Sequence, residues 1–434
     1  MNSEIQKTAN VFSQRNFRLV FMGALVSELG ALLYSFAVSF YILEISGNNA
    51  FLQGLYLALC GVAMLVFTPV GGVLGDRFSK ARIMYVCDYL KGGLIILATV
   101  LMLLFSEPRA HLTVLFVLGI AGNAVSGIFT PAANSLFPHI LKEEQLQQAN
   151  SYFTIKSSLE GIWGIILAGV LYAALPICTL FFLVGACFIA SGISEMLIRC
   201  DHRPSEERLT LSLALRDMRD GITYLKGKKA IMALLGAILF INFFFEPVTG
   251  NFLPYFVKTD LTQAPGYLFH KVLTPELWSS VFSVCFGISS LLGAAILSAG
   301  RQEDKCGHKT AVRLCWVALI MIALTLSYWI LADKGVSLNG FLIAFCLGCL
   351  AMGFMISYIN IPISTVMMRV VDKDKLSKVS SIVSIGSQGM IPIASVLAGA
   401  VLEGWGSTPL LAVSSLGFAV TAVIMLMNRQ LNEI

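Results

Sequence analysis

Runs of about twenty apolar residues, separated by short charged connections, recur along almost the whole of this chain, and no soluble core can absorb them. A helix needs about 20 apolar residues to cross roughly 30 Å of hydrocarbon. Twelve such runs lie near residues 18–43, 51–75, 83–105, 111–135, 150–173, 176–198, 230–256, 277–299, 312–332, 337–361, 379–402 and 408–427. Apolar residues make up 57% of the chain and charged ones 13%, with a mean hydropathy of +0.80, so the bilayer must act as solvent. Within lipid every backbone polar group has to be satisfied inside its own segment. The expected fold class is therefore all-α, a polytopic membrane protein with twelve transmembrane helices. The first run is too long for a secretory signal and lacks a small-residue cleavage site, so it is expected to remain as the first helix.

An even number of crossings puts both termini on one side, and the distribution of Lys and Arg selects the side. With the termini inside, the tails and inner loops hold 24 of the 30 basic residues, including eight from Arg199 to Lys229. Arg109, Lys258, Lys271 and Lys334 fall outside, while Lys91 and Lys156 fall within apolar runs. Both termini are thus expected in the cytoplasm. The net charge of +5 reports topology, and because it is spread over many short loops it gives no reason to expect a nucleic-acid partner. Most of the ten cysteines lie inside apolar runs and read as small packing residues, Cys346 and Cys349 included.

The order of the runs contains an internal repeat. Gly72 opens GVLGDRFSK around Asp76, and Gly300 opens GRQEDKCGH around Asp304, 228 residues later. Leu167-Ala168-Gly169 matches Leu397-Ala398-Gly399, and Pro131 matches Pro362, at offsets of 230 and 231. Three concordant offsets imply two six-helix bundles on one plan. The expected domains are residues 1–198, a cytoplasmic linker at 199–229 whose stretch 211–225 can form a surface amphipathic helix, and residues 230–434. Parallel repeats of this kind belong to rocker-switch carriers.

These two loops and the duplicated plan resemble the major facilitator superfamily across nearly the full chain. The resemblance implies that Gly72, Asp76, Arg77 and Lys80, and in the second half Gly300, Asp304 and Lys305, form cytoplasmic gates. In such a gate the aspartate sits against the positive end of a helix of the other half while the cations pair with acidic groups. The segment PAANSLFPHILKEEQLQQANSY, and Asp88 followed by Lys91 in RIMYVCDYLKG, are similar to the drug and siderophore exporter branch that contains macrolide-efflux proteins and the enterobactin exporter. That branch carries Arg where Lys91 stands, and a Gly-Pro pair where this chain has Gly164-Ile165. Asp88 and Lys91, near the inner surface, are expected to form a packing or gate ion pair.

A charge at bilayer depth costs about 3 kcal/mol or several times that, so each asks for a partner, a wet cavity or a role. Glu28 lies about 15 Å into the first run, with Ala24, Ala31, Ser35 and Ser39 on its face. Lys156 and Glu160, four apart in the fifth run, are expected to pair. In the seventh run Asn242, Glu246 and Thr249 share a face, and Pro247 predicts a kink. Ser384 and Gln388 lie on a polar face of the eleventh run. Glu28, Lys156, Glu160, Asn242, Glu246, Ser384 and Gln388 are the candidates for proton coupling or substrate contact, and Glu44 and Glu403 read as wetted helix ends.

No Walker loop, metal-ligand set or nucleophile elbow appears, so the chain is not expected to be an enzyme, and neither a cofactor nor a bound metal is expected. A proton gradient is the expected energy source: at ~150 mV one proton supplies about 3.5 kcal/mol, enough for a few-hundred-fold concentration ratio. The expected protein is a monomeric, multi-pass, proton-coupled exporter in the bacterial inner (cytoplasmic) membrane. Its partners are lipid, protons and a bulky amphipathic small molecule such as a macrolide. A siderophore or lysolipid carrier would read almost identically, and a non-transporting membrane sensor is the alternative of another class.

Overall fold

With no water to take up N–H and C=O groups, a chain in lipid closes its hydrogen bonds locally, and among the described residues all regular structure is helical. The computed structural model describes residues 11–141, 143–199, 223, 225, 228–264, 266–299, 306–371 and 373–428. Twelve helices in it are long and apolar enough to cross a membrane. They are α1 (Arg15–Ile45), α2 (Ala50–Arg77), α3 (Lys80–Leu104), α4 (Pro108–Ile140), α5 (Glu143–Leu159, continuing through Glu160–Gly164 to Ile165–Ala174) and α6 (Ile177–Met196). The second set comprises α7 (Lys229–Glu246, continuing to Val257–Leu261), α8 (Pro275–Ala299), α9 (Cys306–Ser327, continuing through Tyr328–Asp333), α10 (Leu338–Val370), α11 (Lys373–Trp405) and α12 (Ser407–Met427).

Large apolar side chains point outward, as a lipid solvent requires: Val66, Phe182, Leu347 and Leu416 are 61%, 58%, 61% and 65% exposed. Helices approach where side chains are small. A Cβ on Gly92 of α3 would lie 2.9 Å from the Gly185 carbonyl oxygen of α6. Several helices outrun their apolar windows. α5 starts at Glu143, α9 at Cys306 and α11 at Lys373, about two turns before hydropathy alone would begin them, because backbone hydrogen bonding continues once the side chains are polar. At Pro247, where a kink is expected, the helical hydrogen bonding changes. The proline opens a π-helical turn, Pro247–Phe252, and a second such turn, Val257–Leu261, carries α7 beyond its expected end at 256.

The chain packs as two compact units. The first holds the described residues of Met1–Ser35, Ala63–Gly164 and Leu175–Leu211; the second holds those of Phe36–Val62, Ile165–Ala174 and Ser212–Ile434. The far end of α1, the start of α2 and the last turns of α5 thus pack with the second unit. The linker expected at 199–229, with its amphipathic stretch, lies outside the described residues except at Arg199, Thr223, Leu225, Lys228 and Lys229.

In the second unit an aromatic core joins α7, α8, α9 and α10: Phe282 and Phe345 lie 4.7 Å apart, and Phe256 and Phe341 5.1 Å. The repeat seen in sequence has a counterpart here. Gly169 of α5 packs on Ser280 and Leu277 of α8, and Gly399 of α11 packs on Ala50 and Phe51 of α2. Equivalent glycines of the two LAG motifs thus meet equivalent helices.

Candidate functional site

The lower part of α5 is polar in sequence, yet one of its faces is held in the first unit by rings. Tyr152 meets Phe12 at 4.5 Å, and Phe153 meets Phe21 at 5.5 Å. These contacts tie α5 to the start of α1, and the next turn of α5 presents Lys156 to α1. Lys156 Nζ lies 2.5 Å from Glu28 Oε2 and 3.4 Å from Glu160 Oε2, and 5.3 Å from the Phe153 ring centre. The Lys156–Glu160 pair anticipated from four-residue spacing is present, and Glu28 joins it from another helix. The lysine side chain is 1% exposed, that of Glu160 8% and that of Glu28 52%. Two carboxyls therefore share one ammonium, with one of them facing open space. Glu160 begins a π-helical turn, Glu160–Gly164, and Gly164 at its end packs against Leu29 and Leu32 of α1.

Glu28 also lines a cavity of about 290 Å³ within the first unit, together with Ser27 and Ala31 of its own helix. Asp88 and Lys91 of α3 line the same cavity. The ion pair expected between those two is not formed. Lys91 donates to Ser126 Oγ at 2.7 Å and lies 4.6 Å from the Phe188 ring centre, while Asp88 is buried with Oδ2 lacking a hydrogen-bond partner. A lysine three residues along a helix reaches a neighbouring helix as readily as its own, and here the α4 hydroxyl wins.

The other candidates are placed as follows. Asn242 satisfies its amide on the Ile238 carbonyl, 2.9 Å away on its own helix, and Glu246 curls over Gly250, which has no side chain to obstruct it. Both belong to the second unit, as does Gln388, which is exposed. In the first loop α2 ends at Arg77 and α3 begins at Lys80. Gly72 and Lys80 are half-buried. The side chains of Asp76, Arg77 and Ser384, and the whole of Gly300, Asp304 and Lys305, lie outside the described residues.

Sequence reasoning missed two groups. Glu195, in the last turn of α6, is fully buried; a carboxyl so close to a helix end reads as wetted, and only the packing of Gly23 against its side chain reveals otherwise. The second group sits in the second unit. Lys258 Nζ bridges Glu44 at 3.0 Å and Glu276 at 3.1 Å, and Tyr172 donates to Glu44 at 3.2 Å. Glu403 accepts from the Ala50 N–H at 3.0 Å and from the Asn49 amide at 3.4 Å. Glu44 and Glu403 are exposed, as expected of helix ends, but they tie α1 and α2 to α7, α8 and α11. Lys258 and Glu276 are 11% and 15% exposed on their side chains and Glu44 55%, so Lys258→Met is expected to lower stability by about 1–3 kcal/mol, of which the share from Glu44 is screened at high salt. Thermal melts at two ionic strengths would measure it.

Among the described residues no group of three or more His, Cys, Asp or Glu is arranged to hold a metal ion. Comparison with known proteins agrees with this architecture. The chain is 24% identical over 383 residues to the uncharacterized MFS-type transporter YkuC of Bacillus subtilis, covering 86% of this chain and 82% of that one. It is 21% identical over 342 residues to macrolide efflux protein A of Streptococcus pyogenes, covering 79% and 78%. Among solved structures, a bacterial homologue of the iron transporter ferroportin superposes with a TM-score of 0.70 at 16% identity, over 95% of this chain and 98% of that one, a likeness of fold alone. The family model described as Major Facilitator Superfamily matches residues 20–395. With twelve crossing helices, a duplicated six-helix plan and a family match over most of its length, the chain belongs to the Major Facilitator Superfamily of transporters.

Proposed function

We propose that this transporter exports a small amphipathic molecule in exchange for protons, by alternating access. The observation that carries the reading is the sharing of Lys156 between Glu28 and Glu160 at membrane depth. In such a cluster, protonating one carboxyl, or bringing in a cation, shifts the lysine toward the other. Likeness to a macrolide efflux protein supports the direction and the amphipathic cargo. On this reading the protein works as a monomer in the bacterial inner membrane, both termini are cytoplasmic, and no cofactor is required beyond the proton gradient. The gates at Asp76 and Asp304 act at the inner surface, while the Lys258 and Glu403 contacts close the outer one.

The test is uptake of a radiolabelled macrolide into inside-out vesicles with an imposed pH gradient. Glu28→Gln, which keeps shape and removes the titrating group, is expected to lower the initial rate at least tenfold. Unchanged uptake in that variant would remove Glu28 from the coupling step, and no gradient dependence in the unaltered protein would remove the proton.

A further inference from the structure

The cavity beside Glu28 has two carboxyls and one ammonium on its wall. Its volume, about 290 Å³, lies at the lower edge of the range for small-molecule sites. Two carboxyls, Glu28 and Asp88, line it together with the rings of Phe129 and Phe188. The ammonium on its wall, Lys91, is already engaged with Ser126 and Phe188. Asp88 is 3% exposed, and its Oδ2 has no hydrogen-bond partner.

The charges around Asp88 can be followed helix by helix. From α1 comes Glu28, shared with Lys156. From α3 come Cys87, Asp88 and Lys91, and α4 contributes hydroxyl, amide and apolar groups without a titratable side chain. From α6 comes Glu195, fully buried, with neither carboxyl oxygen hydrogen-bonded and within electrostatic reach of Asp88. Around this space three carboxyls, Glu28, Asp88 and Glu195, face two ammoniums, Lys91 and Lys156.

We infer that this cavity binds a compact organic cation, a protonated amine with an aromatic or apolar flank, using Asp88 and Glu28 as counter-ions. An anion would meet two acidic side chains. A purely apolar molecule would cover the half-exposed Glu28 carboxyl without offering it a hydrogen bond, which is costly. Among the described residues no three His, Cys, Asp or Glu are grouped to hold a bare metal ion, whereas aromatic faces beside carboxyls suit an alkylammonium. The volume accommodates the amine and a ring rather than a whole bulky drug, so a large substrate would place only its amine end here. The inference rests on the transport reading and deepens it by naming a substrate class.

Calorimetric titration of the purified full chain in detergent with phenethylammonium chloride, and with its neutral isostere 2-phenylethanol, tests it. The ammonium is expected to bind at least tenfold more tightly than the alcohol, and Asp88→Asn to weaken ammonium binding at least tenfold, with Glu28→Gln weakening it less. Equal affinity for the two compounds, or a folded Asp88→Asn variant within twofold of the unaltered protein, would overturn the assignment. Should that variant fail to fold, the comparison of the two compounds on the unaltered protein decides alone. Proteoliposome proton flux separates the two readings. Ammonium binding without flux for any compound leaves the site standing and removes exchange; flux driven equally by neutral compounds does the reverse.

Discussion

Lys156→Met should destabilise the folded protein by about 3 kcal/mol, because it strips the counter-charge from two carboxyls at once. Removing one member of a buried pair typically costs about 3–5 kcal/mol. The lower figure applies because Glu28, 52% exposed on its side chain, can regain solvent, whereas Glu160 at 8% cannot. The double variant Lys156→Met with Glu160→Gln is expected to recover at least half of the loss, since it removes the charge left stranded. Denaturation of the detergent-solubilised protein followed by tryptophan fluorescence measures both. A single variant that melts with the parent, or a double variant as unstable as the single one, would show that the cluster is solvated rather than paired. Lysine at this position is thus structural first, and its part in coupling follows from how little holds the two acids apart once it moves.

The second large effect is expected at Gly399. A Cβ there would lie 2.6 Å from the Ala50 carbonyl oxygen and 3.1 Å from the Phe51 Cα, backbone that has nowhere to go. Gly54, on the other side of the same contact, faces the Ser395 carbonyl oxygen with still less room. Gly399→Leu should therefore separate α2 from α11, at a cost of about 1–3 kcal/mol or more for forced overpacking. If the outer ends must close once per cycle, transport should fall to background while substrate binding persists. Vesicle uptake together with equilibrium binding on the same preparation gives the answer. Retained uptake in the leucine variant would mean that this close approach is dispensable to the cycle.

The crossings were legible because lipid imposes one rule on every segment, and apolar length records it directly. Helix ends were less so. The first turns of α5, α9 and α11 are polar, and hydropathy stops where hydrogen bonding does not. The site divides along the same line. Lys156 and Glu160 are neighbours by helical spacing alone, so sequence suffices for them. Glu28 joins across 128 residues of chain through rings on α1 and α5, which no local pattern encodes. Asp88 and Lys91 show the converse: spacing permitted a pair, but Ser126 offered a closer partner. Glu44, Lys258 and Glu403 looked like ordinary charges at helix ends because their meaning depends on helices that follow much later. The LAG repeat, by contrast, was readable at both levels, since the small residue that permits close approach is also the letter that repeats.

The π-helical turn at Glu160–Gly164 gives α5 the character of a crankshaft. One extra residue in a turn displaces everything beyond it by about 100° around the axis. Below the turn Lys156 addresses α1, and above it Gly169 addresses α8. Deleting Ile162 should restore a uniform pitch and turn the residues after Gly164 by about 100° relative to those before Glu160.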